Sequence, residues 1–169
     1  MIGKHKIRQV QQDDLPSVAD LDYEAFSPYG TAENPETFIA RFKAFPSGFL
    51  VLEENNEIVA YGCSEKWLTE REPGLDENPL DTHKPDGKIF CITGMAVRIR
   101  HRRKGYGLAV LDSLIRIAKS ENCIKIVLET THAQDLYLKR GFITTQSRNE
   151  REVALDIMSL NLEPDGKNN

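Results

Sequence analysis

Residues 88–97 read "KIFCITGMAV" and run directly into "RIRHRRKGYGLAVLDSLI", residues 98–115. The first stretch is apolar at almost every position, which suits a central strand covered on both faces. In the second, five of the first seven residues are Arg or Lys, and glycines follow at 105 and 107. Leu108, Leu111, Leu114, Ile115 and Ala118 then recur at helical spacing. A buried strand, a basic glycine turn and an amphipathic helix in succession require an α/β architecture, with the helix packed back on its sheet.

The flanking segments extend that scheme. "KIRQV", residues 6–10, reads as a first strand. A helix follows, with Asp13 or Asp14 as its cap, Pro16 in its first turn, and Leu15, Val18, Leu21 and Ala25 on one face. A second helix starts at Asn34-Pro35 and presents Phe38, Ile39 and Phe42; Pro46 and Gly48 stop it. Two β-rich runs around Asn55-Asn56 form a hairpin. Residues 69–87 hold three prolines, two glycines and six acidic residues, the composition of a long surface loop. After the amphipathic helix, which Asn122 ends, come a buried strand "IKIVLET", a short helix closed by Gly141, and a last strand in "REVALDIMSLNL". The order is β-α-α-β-β-β-α-β-α-β, a mixed central sheet flanked by helices. One domain is expected over residues 1–169, with its core at 6–162 and a tail at 163–169.

Composition narrows the function. The net charge is −4, so the basic run is local, and a nucleic-acid partner is not expected. No apolar run approaches membrane-spanning length and "MIGKHKIRQV" lacks a signal-peptide core, so no membrane partner and a cytoplasmic location are expected. Cys63, Cys91 and Cys123 are far apart and show no metal-ligand spacing; reduced, buried thiols and no metal are expected.

The turn at 102–107 is an anion cradle in kind. A helix start leaves unpaired N–H groups and a positive dipole end. Gly105 and Gly107 let a ligand oxygen approach bare backbone, and Arg102, Arg103 and Lys104 add full charges. The spacing is neither a P-loop nor the three-glycine dinucleotide fingerprint.

On these residues the stretch "MAVRIRHRRKGYGLAVLDSL" resembles the acetyl-CoA motif of the GNAT N-acetyltransferases: Arg or Gln, two residues, Gly, any residue, then Gly or Ala. Arg102, Gly105 and Gly107 fit it. Downstream, "AQDLYLKRGF" is similar to a second signature of that family, through Ala133, Leu136, Tyr137, Lys139, Gly141 and Phe142. The resemblance spans roughly residues 6–162. It implies acetyl-CoA as co-substrate and a central strand bulged at Gly94 and splayed from its neighbour. Main chain at Met95, Ala96 and Val97 would pair with the pantetheine arm. Arg102 and residues 103–108 (Arg103, Lys104, Gly105, Tyr106, Gly107 and Leu108) would hold the pyrophosphate.

The same resemblance makes Tyr137 the general acid that protonates the departing thiolate, in contact with the cofactor. It implies a primary amine as acceptor, expected to be a small molecule, attacking directly in a ternary complex. A peptide or protein N-acetyltransferase and a non-catalytic acyl-CoA-binding module are the alternatives. The general base has no fixed place in such proteins. Glu129, ending the strand before the Tyr137 helix, is the first choice; Glu65, His132 or a water are the others. Thr130, followed by Thr131, stands where many relatives have an Asn that contacts the cofactor. Many such proteins are homodimers. Phe26, Tyr29, Tyr23 and Trp67 are aromatic candidates for a substrate pocket, with core packing as the competing demand. The acidic helix "DDLPSVADLDYE" has the charge to attract a cationic amine.

Overall fold

The structure, a computed structural model, describes residues 4–150 and 152–163. The expected tail therefore lies, from residue 164 on, outside the described residues. In chain order the elements are β1 (His5–Gln9), α1 (Leu15–Phe26), α2 (Pro35–Ala44), β2 (Leu50–Glu54) and β3 (Glu57–Trp67). Then come α3 (Pro79–Thr82), β4 (Ile89–Val97), α4 (Tyr106–Ser120), β5 (Lys125–Thr130), α5 (Gln134–Leu138), β6 (Ile143–Glu150) and β7 (Val153–Asn161). The sheet runs β1-β2-β3-β4-β5-β7-β6. Only β4 and β5 pair in parallel.

Two helical layers cover this sheet. The stripe Val110, Leu111, Leu114 and Ala118 of α4 packs on Val59, Phe90, Ile126 and Leu128. On the other face, Val18, Leu21, Ala25 and Phe38 of α1 and α2 pack on Phe49, Val51, Tyr61 and Cys63. The apolar run at the centre is thus buried from both sides, as its composition requires. Asn55 (φ 51°) and Asn56 (φ 67°) make the β2–β3 turn, a conformation their short polar side chains tolerate. Asn122 (φ 58°) and Gly141 (φ 87°) end α4 and α5 as expected.

The sequence reading differs from the structure at three places. A seventh strand, β6, precedes the last one; "ITTQSRNE" is polar after Ile143 and lies mostly exposed at the sheet edge, so it carries no alternation to read. The loop at 69–87 contains one short helix, α3, capped by the Asn78 side chain, which accepts the Leu80 N–H at 3.1 Å. On α2, Ile39 is 44% exposed while Arg41 is 5% exposed, so a charge takes the inner place that the apolar pattern assigned to isoleucine. The guanidinium is held by Glu33, with Nε donating at 3.1 Å, and its second amino nitrogen lies 3.8 Å from Glu65.

What positions the site is a fault in the centre of the sheet. Cys63 of β3 faces Gly94, whereas Ser64 faces Ile92, so Thr93 is an extra residue and β4 bulges there. A Cβ on Gly94 would lie 2.8 Å from the Tyr61 hydroxyl and 3.1 Å from the Cys63 sulfur, which explains the glycine. β4 pairs with β5 only from Ile89↔Lys125 to Cys91↔Val127. Beyond that point β4 runs on to Val97 and β5 to Thr130 without pairing, and a crevice opens between them.

Candidate active site

Two adjoining cavities fill the crevice. The first, of about 340 Å³, lies between β4, the turn before α4, and α5. Met95, Ala96 and Val97 line it, on the edge of β4 that β5 has left. Arg102, Arg103, Gly105, Gly107 and Leu108 form its other end. Arg103 (φ 66°) and Gly105 (φ 84°) are both left-handed. Alternation of that kind turns successive N–H groups inward into an anion-binding concavity at the helix start.

The two motif glycines have different reasons to be there. Gly105 needs its backbone freedom. Gly107 has an ordinary helical backbone, and a Cβ there would meet Leu136 at 3.5 Å, which is normal contact. No contact around position 107 demands a bare backbone, and the missing side chain leaves room beside the cavity. Arg102 and Arg103 are exposed and make no ion pair among the described residues. These features fit a pyrophosphate.

Lys104 and Tyr106 are placed differently. The Lys104 ammonium lies 3.2 Å from buried Glu54, whose carboxylate also meets His101 Nδ1 at 2.9 Å, and it does not line the cavity. Burial opposes ionisation of Glu54, but Lys104, Tyr106 and His101 outweigh it and hold its carboxyl below the usual range. The Tyr106 ring is buried and faces His5 at 5.1 Å, so only its main chain is available to a phosphate.

The second cavity, of about 120 Å³, lies towards α1 and the loop after it. Asp22, Glu33 and Glu129 are in its wall, with Leu75 contributed by the long acidic loop. That loop is fixed across the crevice: Lys125 pairs with Glu70 at 2.8 Å, Arg148 with Glu72 at 3.6 Å, and Gln146 donates to Glu72. Burial pushes the Glu129 carboxyl up to about 7, despite an Arg148 guanidinium 2.6 Å away. Burial likewise pushes Asp22 up to about 6, against hydrogen bonds from the Tyr61 hydroxyl at 2.5 Å and the Glu33 N–H at 2.9 Å.

Tyr137 and His132 line both cavities and mark their junction. Tyr137 is 5% exposed, and its ring packs on Phe142 at 5.6 Å. Its hydroxyl bonds to no group among the described residues, and burial pushes its pKa up, so it is a neutral donor with nothing yet to donate to. The His132 ring stacks on Tyr29 at 4.4 Å, and its Nδ1 is 2.7 Å from the Thr131 hydroxyl. Partial burial, then Arg102, lower its pKa and keep the imidazole neutral.

The remaining candidates separate. Phe26 lines both cavities. Tyr23 is 65% exposed and Trp67 is buried in a small core with Ile89, Cys91 and Val127. Glu65 lies away from both cavities, bonded by the Thr82 hydroxyl and facing Arg41. The Thr130 hydroxyl accepts the Ala133 N–H at 3.0 Å and so anchors the start of the segment that carries Tyr137. Asp22 and Glu33 escape a motif search because no spacing connects them to the cofactor turn; their only sequence signal is the acid content of the first helix and the loop after it. All three cysteines are buried and unbridged, no metal-binding cluster occurs among the described residues, and no helix is long and apolar enough to cross a membrane.

The sequence pattern of the Acetyltransferase (GNAT) family matches residues 15–142. Among solved structures, the fold is similar to the loading GNATL domain of CurA from Lyngbya majuscula (TM-score 0.84, 14% identity, 94% of this chain and 98% of that one). It is similar to the GphF GNAT-like decarboxylase in complex with isobutyryl-CoA (TM-score 0.79, 15% identity, 94% and 100% covered). It is also similar to the ribosomal-protein-S18-alanine N-acetyltransferase from Escherichia coli (TM-score 0.72, 18% identity, 98% and 99% covered). No curated protein matches the chain in sequence.

Proposed function

Because the chain belongs to the GNAT acetyltransferase family, we propose that it transfers the acetyl group of acetyl-CoA to the primary amine of a small molecule. Both substrates are bound together and the amine attacks directly. The observation that carries this reading is Tyr137, a buried side chain whose hydroxyl has no partner among the described residues and which lines both the cavity at the helix start and the acidic one.

Bound acetyl-CoA supplies the acyl carbon, to which the amine nitrogen bonds as the carbon–sulfur bond breaks. The protein does the rest. Residues 103–108 hold the pyrophosphate through main-chain N–H groups, with Arg102 and Arg103 adding charge. Met95, Ala96 and Val97 offer the free edge of β4 to the pantetheine amides. Glu129 accepts the proton released by the amine nitrogen; a carboxyl pushed up to about 7 is half ionised at neutral pH and basic enough for the task. His132, neutral and at the junction, is the alternative acceptor. Tyr137 gives its proton to the departing sulfur.

Related folds act on other groups, and the acidic cavity argues between them. An acyl-CoA bearing its own carboxylate, as decarboxylation requires, would meet Asp22, Glu33 and Glu129 with no Lys or Arg in the wall. A long peptide acceptor would have to pass Leu75 and the loop fixed by Glu70 and Glu72. The test is a panel of amines, peptides and malonyl-CoA, followed by release of free thiol and of carbon dioxide. Thiol release from acetyl-CoA with small amines is expected. Tight CoA binding with no turnover on any acceptor would leave the protein an acyl-CoA-binding module.

A further inference from the structure

Of the three carboxylates in the acidic cavity, two are backed by guanidinium groups and one is not. Glu33 holds Arg41, and Glu129 holds Arg148. Neither arginine lines the cavity. Asp22 is 2% exposed, and both donors that reach it, the Tyr61 hydroxyl and the Glu33 N–H, are neutral. Among the described residues no cation contacts it. The charge of Arg41 reaches Asp22, but that guanidinium is bonded to Glu33. A buried carboxylate that no cation contacts is costly to keep, and this one borders a cavity whose wall contains no Lys or Arg.

Two further oxygens in the same wall are unfilled. The Thr31 hydroxyl is buried without a hydrogen-bond partner. The Tyr137 hydroxyl, on a side chain 5% exposed, faces the cavity and bonds to no protein group among the described residues. Asp22, Thr31 and Glu33 come from one continuous piece of chain and are brought together by the Glu33 N–H to Asp22 contact. An alkylammonium has three N–H donors and no acceptor, and this corner offers acceptors from three residues. The attacking nitrogen must be neutral, so it cannot itself be the missing cation.

Resting on the amine-transfer reading above, we propose that the Asp22–Thr31–Glu33 corner binds a second, protonated nitrogen of the acceptor, so that the substrate class is short aliphatic diamines and polyamines. One nitrogen reaches the junction at Tyr137 and the other neutralises Asp22. Amino acids are disfavoured by the same wall, because their carboxylate meets three acids and no Lys or Arg there.

The test uses the intact protein with acetyl-CoA and two acceptors of equal length, 1,4-diaminobutane and 1-aminopentane, which differ only in the far terminal group. In wild-type protein the kcat/KM ratio should favour the diamine on the order of 10- to 100-fold, the scale of one charge-assisted contact. Asp22→Asn should bring the ratio close to one, chiefly through the KM of the diamine. Thr31→Val removes a hydroxyl that makes no bond in the protein, so its fold is secure; it should lower the ratio several-fold. Calorimetric titration of 1,4-diaminobutane into the CoA complex reads the subsite without turnover. Diamine binding that Asp22→Asn weakens, with no thiol released, would sustain the subsite and sink the acetyl-transfer reading. Equal use of both amines by wild type, or an equal loss on both in Asp22→Asn, would overturn the subsite and leave acetyl transfer standing.

Discussion

The two cavities that meet at Tyr137 are built in opposite ways. The one beside α4 takes most of its wall from a single stretch, Met95 to Leu108, and in the proposed reading acts largely through main chain. The other gathers Asp22 from α1, Glu33 from the loop that follows, Leu75 from the acidic loop and Glu129 from β5, and acts through side chains. A phosphate needs only a helix start and bare backbone, which neighbouring residues can supply. An amine needs acceptors arranged around a point, and only the folded sheet brings those together. The first cavity is therefore a motif, and the second is a consequence of tertiary packing.

The sharpest way to break this contrast is at Gly107. The Cβ of a valine there meets only ordinary contacts inside the protein, and the fold is expected to survive. Acetyl-CoA affinity should fall on the order of 10²- to 10³-fold, the loss of two or so hydrogen bonds to charged oxygens. Calorimetry beside a melting curve checks it; unchanged affinity would mean that the pyrophosphate lies elsewhere.

At the junction, Tyr137→Phe keeps the packing on Phe142 and deletes only the hydroxyl. Single-turnover rate should fall roughly 10²-fold, the scale of general acid catalysis, with little change in cofactor affinity. A wild-type rate constant would reduce Tyr137 to a packing residue.

Within the acidic cavity, turnover should rise with pH through about 7 as Glu129 ionises. Glu129→Gln should flatten that limb and slow turnover about 10-fold, less than a sole base would cost, because His132 borders the same junction. If the limb persists in this variant and vanishes in His132→Ala, the imidazole is the base.

A smaller effect concerns stability. Asp22 ionises at about 6 in the folded protein against an ordinary 3.8, so the folded state binds more protons between those values. Its contribution is present below about pH 4 and is lost as pH rises through 6. Relative to wild type, Asp22→Asn should therefore gain about 1–2 kcal/mol between pH 4 and pH 7 in denaturant titrations, offset by a pH-independent cost at Tyr61. No relative change across that range would remove the unpaired carboxylate from the description. Smallest of all, Arg102→Gln and Arg103→Gln should each weaken CoA binding several-fold and reduce its salt dependence, since exposed phosphate contacts are screened.

The same contrast explains what could be read in the chain. The turn at Gly105 and the helix that follows are local consequences of residue type, and the structure has them where the pattern requires; the bulge falls at Thr93, next to the Gly94 that the family resemblance marked. Lys104 belongs to the same run of charges, yet buried Glu54 at the end of β2 draws its ammonium away from the cavity. Glu65 is an alternative base to Glu129 in the sequence, but it lies away from both cavities beside Arg41. On α2 itself, the demand of Glu33 and Glu65 for a cation brings Arg41 inside and leaves Ile39 out.

By itself the sequence determined the strand–turn–helix proposed to cradle phosphate, because such a site depends on φ angles, missing side chains and helix ends, all set by residues adjacent in the chain. It also determined the two-sided burial of β4, through an unbroken apolar run. Only the tertiary structure decided which acids line the second cavity, which of them a guanidinium contacts, and that none contacts Asp22 among the described residues. Those outcomes depend on distances between α1, α2, β5 and β6, and charge pairing across such distances leaves no period in the sequence to read.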